Sequence, residues 1–391
     1  MLNWKTRSPP PPPPRAQPAP EGPWNRRRTD DAPARGPQGL RRAHRQGPAP
    51  RAAAGILSAR RSIPMKRVVN GLTDVNQLAP FKYPWAWNYF LNANKNHWTP
   101  LDINMASDVH DYFHKLTLEE RHVYENVLAY LTTSDILAMR NIGLAVMEKM
   151  SAPELQIYQA RQVYEESLHT WTYQHCIETI GLDQGEIYNR YRVVPEIHAK
   201  IRIANRRLDS VLRPDIDLKD RDELMNFLMA YIFFAAVFEG SWFYNGFTPI
   251  FALQRRGLMK GTAEQLQYIM RDEVMHASFG IRVAKQIMLE ENIRPDPKAI
   301  REMWDEAEAA ESGYARYLLP DPILGYTAEM HSDQFRFVAN RRAKQLGLEE
   351  PFPGAENAIE WLDEQANLRK EKNFFETRVT EYQTGGALSW D

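Results

Sequence analysis

The stretch VYEESLHTWTYQHC, residues 163–176, decides how this chain is read. At about 100° per residue a helix sets its Glu166, His169 and Tyr173 along one strip. Further along, RDEVMHASFG (271–280) repeats the Glu-x-x-His spacing with Glu273 and His276. Val163, Leu168 and Ile177 surround the first pair; Ile269, Met270, Val274 and Met275 flank the second. A carboxylate and an imidazole aimed together, twice, in apolar sequence require a chemical reason.

One Glu-x-x-His alone means little, because residues three apart on an exposed helix form ordinary polar pairs. The chain carries its own control in Glu119 and His122 of LEERHVY. His122 falls roughly 140° around its helix from Asp135, away from the apolar stripe Tyr124, Val127, Leu128, Leu131 and Ala138. It is expected to face solvent.

The pattern working outward is nearly all helical. Apolar residues recur at three- and four-residue spacing, and Pro and Gly sit mostly between the periodic segments. The spacing predicts long helices at 117–149, 153–181, 222–247, 261–291, 297–318 and 322–346, with shorter ones at 106–115, 184–192 and 194–208. The charged stretch 206–223 reads as a connector, and nothing alternates with period two, so no sheet is expected. Helices this long imply an antiparallel all-α bundle.

Two halves repeat one scheme. Asp135 precedes Glu166-x-x-His169, and Glu239, inside FFAAVFEGSWFYNGF, precedes Glu273-x-x-His276. With a rise of about 1.5 Å per residue, each half returns to the level of its first carboxylate after running up one helix and down the next. Pairing the halves collects four carboxylates and two imidazoles in a four-helix core. Buried without compensation, such carboxylates cost several kcal/mol or stay protonated. A pair of metal ions supplies the missing positive charge. Oxygen-rich ligation with one imidazole per metal suits iron or manganese better than zinc. Tyr173, one turn beyond His169, points the same way, and Phe243, Phe247 and Ile269 are expected near it. It reads either as a core tyrosine with a satisfied hydroxyl or as a redox-active phenol shielded from water.

Composition sets the remaining bounds. Residues 1–64 hold 13 of the 49 Lys and Arg and 3 of the 50 Asp and Glu, leaving 36 against 47 in the rest. They also hold 14 of the 27 prolines, including Pro9–Pro14, and so cannot form a helical core. A disordered basic tail, a nucleic-acid arm and a mis-called start with the true start at Met65 all account for this segment. The third fits best, since composition turns ordinary at MKRVVNGLTDVNQ (65–77). No aromatic platform accompanies the arginines, so nucleic acid is not an expected partner. Deleting 1–64 is expected to leave function intact. Cys176 is the sole cysteine, which excludes an intrachain disulfide and suits a reducing cytoplasm. The longest apolar run, AYIFFAAVF (230–238), is too short to span a membrane, and no phosphate-cradling Gly motif occurs.

Taken together, DVNQL (74–78), YPWAWNYFLNANKNHWTP (83–100), TTSDILAMRN (132–141), EESLHTWTY (165–173), FEGSWFYNGF (238–247), RDEVMHASFG and EKNFFETRVTEYQ (371–383) resemble the small, radical-generating subunit of class I ribonucleotide reductase. The resemblance implies a ferritin-like bundle over 65–371 and a flexible tail, 372–391, that binds the large subunit. It implies that Asp135, Glu166 and His169 hold one metal and Glu239, Glu273 and His276 the other, two glutamates bridging. Tyr173 falls on the family's radical tyrosine. Trp98 and Asp272 fall on the residues linking the site to the surface through His169, and Tyr382 on the tail tyrosine that passes the radical onward. A homodimer acting with the large subunit is implied.

VNQL, WAW, NFFETRV and the ending GGALSWD look most like the chlamydial-type branch, known for a manganese–iron centre. That branch has Glu where this chain has Asp135 and Phe where it has Tyr173, so Fe/Fe and Mn/Fe both stay open, as does Mn/Mn. A stand-alone di-metal oxidase, a ferritin-like iron store and a purely structural scaffold are the alternatives. Neither of the first two explains the aromatic tail, and a scaffold leaves the buried ligand set unexplained.

Overall fold

Pro, Asp and Thr open most of the helices of this protein, and Gly181 and Gly347 close two of them. The computed structural model describes residues 66–71, 81–95, 97–323 and 325–362, all within one compact unit, Arg51–Asp391. In chain order come α1 (Pro84–Ala93), α2 (Ala106–His114) and α3 (Leu118–Asn141), the last prolonged through a π-helical turn, Ile142–Val146, to Lys149. Next are α4 (Pro153–Ile180), α5 (Gln184–Val193), α6 (Pro195–Asp209) and α7 (Arg221–Ile232). The helix of α7 continues as a π-helix, Phe233–Phe243, to Gly246. α8 (Thr248–Arg255), α9 (Lys260–Glu290), α10 (Pro297–Leu318) and α11 (Ala328–Leu346) complete the series. Among the described residues there is no strand, only an isolated bridge between Ile323 and Tyr326.

Local chemistry fixes several of these ends. Thr117 and Glu120 form a reciprocal capping box at the start of α3. Pro153 opens α4 and Gly181, at φ 83°, closes it in the left-handed region. Three expectations need correction. The segment Pro84–Ala93 is helical although its Trp, Tyr, Phe and Asn residues are middling helix formers; packing of Tyr89 on Tyr158 and Phe279 compensates. The last helix starts at Ala328, not 322, because Pro320, Pro322 and Gly325 hold a turn. The two π segments carry no signature in apolar spacing.

Two contacts set where α9 lies. The buried carboxylate of Asp108 on α2 accepts the backbone N–H groups of Gly261 (2.9 Å) and Thr262 (2.6 Å), satisfying orphan donors at its N-terminus. Along the helix, a Cβ on Gly280 would sit 2.5 Å from Ala235 Cβ, so only glycine permits this approach to the π segment. The continuous stretch Arg221–Arg255 is long and apolar enough to cross a membrane, which the short run 230–238 alone does not indicate. Yet 83% of its most apolar window is buried inside the protein, where it carries Glu239.

Candidate metal centre

Four helices deliver six groups to one buried place: Asp135 from α3, Glu166 and His169 from α4, Glu239 from the π segment, and Glu273 and His276 from α9. None is more than 2% exposed. Ligand atoms of Glu166, Glu239, Glu273 and His276 lie within 4.8 Å of one another, as do those of Asp135, Glu166 and His169. Glu166 belongs to both groups. Nδ1 of His169 lies 3.2 Å from Glu273 and 3.7 Å from both Asp135 and Glu166. Nδ1 of His276 lies 3.1 Å from Glu166 and 3.5 Å from Glu273. Glu166 and Glu273 thus each approach both imidazoles.

These close approaches lack hydrogen-bond geometry. Both carboxylate oxygens of Asp135, Glu166 and Glu273, Oε2 of Glu239 and Nδ1 of both histidines have no hydrogen-bond partner. Orphaned buried polar atoms are expensive, and so many converging in one place is an electrostatic conflict. Burial first, then the charge of Glu166, pushes the Asp135 carboxyl well above its ordinary range. Burial, then Glu166 and Glu273, does the same to Glu239. Burial also opposes ionisation of Glu166, but the two nearby imidazoles outweigh it and its pKa falls. Burial opposes protonation of both histidines, but it is outweighed for His169 by Asp272, Glu166 and Glu273, and for His276 by Tyr158 and then Glu165, Glu166 and Glu273, so both pKa values rise well above the usual imidazole value. Without other cations, this site must hold protons where it could hold metal.

The far nitrogen of each imidazole meets an acid. Nε2 of His169 lies 3.2 Å from Asp272, which also accepts from the Trp98 indole N–H at 3.4 Å. Nε2 of His276 lies 2.9 Å from Glu165, and Gln162 donates to Glu239 at 2.8 Å. The sequence reading missed Glu165 and Gln162. For Glu165 the signal was present, since each Glu-x-x-His is preceded by a second acid, in EESLH and DEVMH.

Tyr173 is fully buried, and its hydroxyl lies beside the carboxylate of Asp135. Burial, then the charges of Asp135, Glu273 and Glu166, raises its pKa well above the ordinary phenol value. Phe243, Phe247 and Ile269 are wholly buried. His122 is half-buried rather than fully solvent-facing: its Nε2 lies 2.9 Å from the Tyr317 carbonyl, and its ring meets the Tyr317 ring edge-on, docking α3 on α10. Cys176 is buried, and burial first, then Asp108, pushes its thiol up to about 12, leaving it unreactive. Tyr382 lies outside the described residues.

Residues 75–358 match the family model "Ribonucleotide reductase, small chain". The beta subunit of ribonucleoside-diphosphate reductase from Chlamydia pneumoniae is 38% identical over 322 residues, 81% of this chain and 92% of that protein. The small subunit from Dictyostelium discoideum is 32% identical, covering 80% of this chain and 87% of its own. This chain belongs to the ribonucleotide reductase small-chain family. It is the small subunit of a ribonucleoside-diphosphate reductase, an oxidoreductase. The fold agrees: the R2 subunit of Clostridium botulinum superposes with a TM-score of 0.68 at 23% identity, covering 77% of this chain and 94% of that one. The bundle is therefore of the ferritin-like kind, and family and side-chain cluster together point to a dinuclear metal site.

Proposed function

We propose that Asp135, Glu166 and His169 hold one metal ion and Glu239, Glu273 and His276 a second, with Glu166 and Glu273 reaching both. The observation that carries this reading is the set of buried, unpartnered carboxylate oxygens and imidazole Nδ1 atoms. A mostly oxygen donor set with one imidazole per ion suits iron or manganese, as Fe/Fe, Mn/Fe or Mn/Mn. Asp135 and Tyr173 favour the iron–tyrosyl arrangement over the chlamydial manganese–iron one. When bound, the metals supply a one-electron oxidant generated with oxygen.

The chain's own residues govern where the proton and the oxidising equivalent go. Tyr173 holds its phenolic proton at neutral pH, and the Asp135 carboxylate beside it is the acceptor when the ring is oxidised. The Tyr173 ring is itself wholly buried, which keeps water from it. Asp272 fixes the proton of His169 on Nε2 and joins the imidazole to Trp98, which is 7% exposed, giving a hydrogen-bonded line toward the surface. Tyr382 in the tail hands the oxidising equivalent to a large subunit, whose cysteines reduce the ribonucleotide. The protein acts in the cytoplasm as a homodimer bound to that subunit.

Metal analysis of the purified protein tests the site. Two ions per chain are expected in the wild type, and a large loss in Glu239→Ala and Glu273→Ala. Full nucleotide reduction by a folded, metal-free wild type would refute the reading.

A further inference from the structure

The two imidazoles are held alike but in different company. Each acid that meets an imidazole directly precedes a ligand glutamate of the opposite helix: Asp272 before Glu273, Glu165 before Glu166. Each acid has a further partner of its own. Asp272 accepts the indole N–H of Trp98. The Oε1 of Glu165 accepts from Arg161 Nε at 3.0 Å, one turn back on α4. Arg161 is itself fixed, 12% exposed, with Nη2 donating to the Ala93 carbonyl at 3.4 Å and its guanidinium 4.8 Å from the Tyr164 ring centroid.

An imidazole ligates through Nδ1 only when its proton sits on Nε2. A carboxylate held at Nε2 enforces that tautomer and the ring's orientation. Both oxygens of Glu165 are engaged, one by Arg161 and one by His276, so its position is fixed from both sides. We infer that Arg161 and Glu165 form a positioning pair dedicated to the metal position of His276, so that the two positions of the pair have separately set affinities. This inference rests on the metal reading above and adds which residues tune one half of it.

The test is titration of the full-length apoprotein with manganese(II) alone, following free ion by electron paramagnetic resonance. The wild type is expected to bind two ions. Glu165→Gln presents an amide N–H that pushes the ring proton onto Nδ1, and should weaken one ion about 10- to 100-fold while sparing the other. Arg161→Ala should weaken the same ion, and Arg161→Lys should restore most of the loss. In a His276→Ala background Glu165→Gln should have no further effect, whereas in His169→Ala the loss should persist. Both substitutions break a buried pair and should lower the apoprotein melting temperature, so it is the loss of one ion with the other still bound at wild-type affinity that separates positioning from general damage. Equal weakening of both ions, or no change, overturns the inference while leaving the metal site standing. A wild type that takes up neither manganese(II) nor, without oxygen, iron(II) overturns both.

Discussion

Tyr173 is a fully buried phenol next to the carboxylate of Asp135, whose own pKa is pushed up by burial and Glu166. Such a ring is poised to lose an electron and a proton together. Iron-loaded protein exposed to oxygen should therefore give a tyrosyl radical signal that Tyr173→Phe abolishes, because phenylalanine has no ionisable proton. A purely metal-centred signal, with activity kept in the variant, would remove Tyr173 from the pathway. At this scale the sequence was most legible where a residue type is wrong for its surroundings: the six groups of the candidate centre stood out as polar side chains in apolar sequence. His122 misled because angular position on one helix says nothing about which neighbouring helix covers it.

The crossing of α9 on the π segment of α7 depends on Gly280. Gly280→Ala would put a Cβ 2.5 Å from Ala235 Cβ, and it should cost about 1–3 kcal/mol. Denaturant unfolding of the apoprotein measures it; an unchanged midpoint would mean the helices separate freely. A second device joins α6, α10, α11 and the end of α7. Fully buried Lys200 pairs with fully buried Glu311, whose other oxygen meets His331 at 2.7 Å and Asn245 at 2.8 Å. The lysine also sits 3.8 Å from the Tyr130 ring centroid. Glu311→Gln should destabilise by about 3–5 kcal/mol by leaving a buried charge uncompensated, and adding Lys200→Met should recover part of it.

The sign of that pair's pH dependence is set by its acid. Burial opposes ionisation of Glu311, but Lys200 and His331 outweigh it and lower its pKa from 4.5 to about 2. Its contribution is present above pH 4.5 and is lost as pH falls toward 2. Burial lowers the Lys200 pKa, which favours the neutral amine in the folded state and offsets part of the gain. Urea unfolding at pH 5 and pH 3 should show a loss in the wild type that is smaller in the double variant. An equal loss in both would assign acid sensitivity elsewhere.

For the whole molecule, the expected outlet is the tail, which lies outside the described residues. Tyr382→Phe should leave metal loading and affinity for the large subunit nearly unchanged while stopping nucleotide reduction. Removing residues 387–391, with Leu388 and Trp390, should weaken association with the metal site still assembled. A binding titration and a turnover assay on both variants decide the point. Normal turnover by Tyr382→Phe would make the tail only a tether. Among the described residues nearest the N-terminus, the buried Lys66 ammonium donates to Glu154 at 3.1 Å and the Val68 N–H donates to Glu290.

The sequence by itself determined the helical class, the lengths of the main helices and the six groups of the candidate centre. Each of these is local: a three- to four-residue apolar period, a proline or glycine boundary, a charge in apolar surroundings. The tertiary structure alone decided what depends on contacts between distant segments. The helix at Pro84–Ala93 exists because α4 and α9 receive its aromatic rings, although its own propensity is modest. Its α9 neighbour starts where Asp108 of α2 caps it, a contact made across 153 positions of chain. The π-helical course that carries Glu239 departs from the ordinary helical period without a mark in the sequence. Glu165 was visible as one of two adjacent acids, yet only the crossing of α4 with α9 could show that it meets His276.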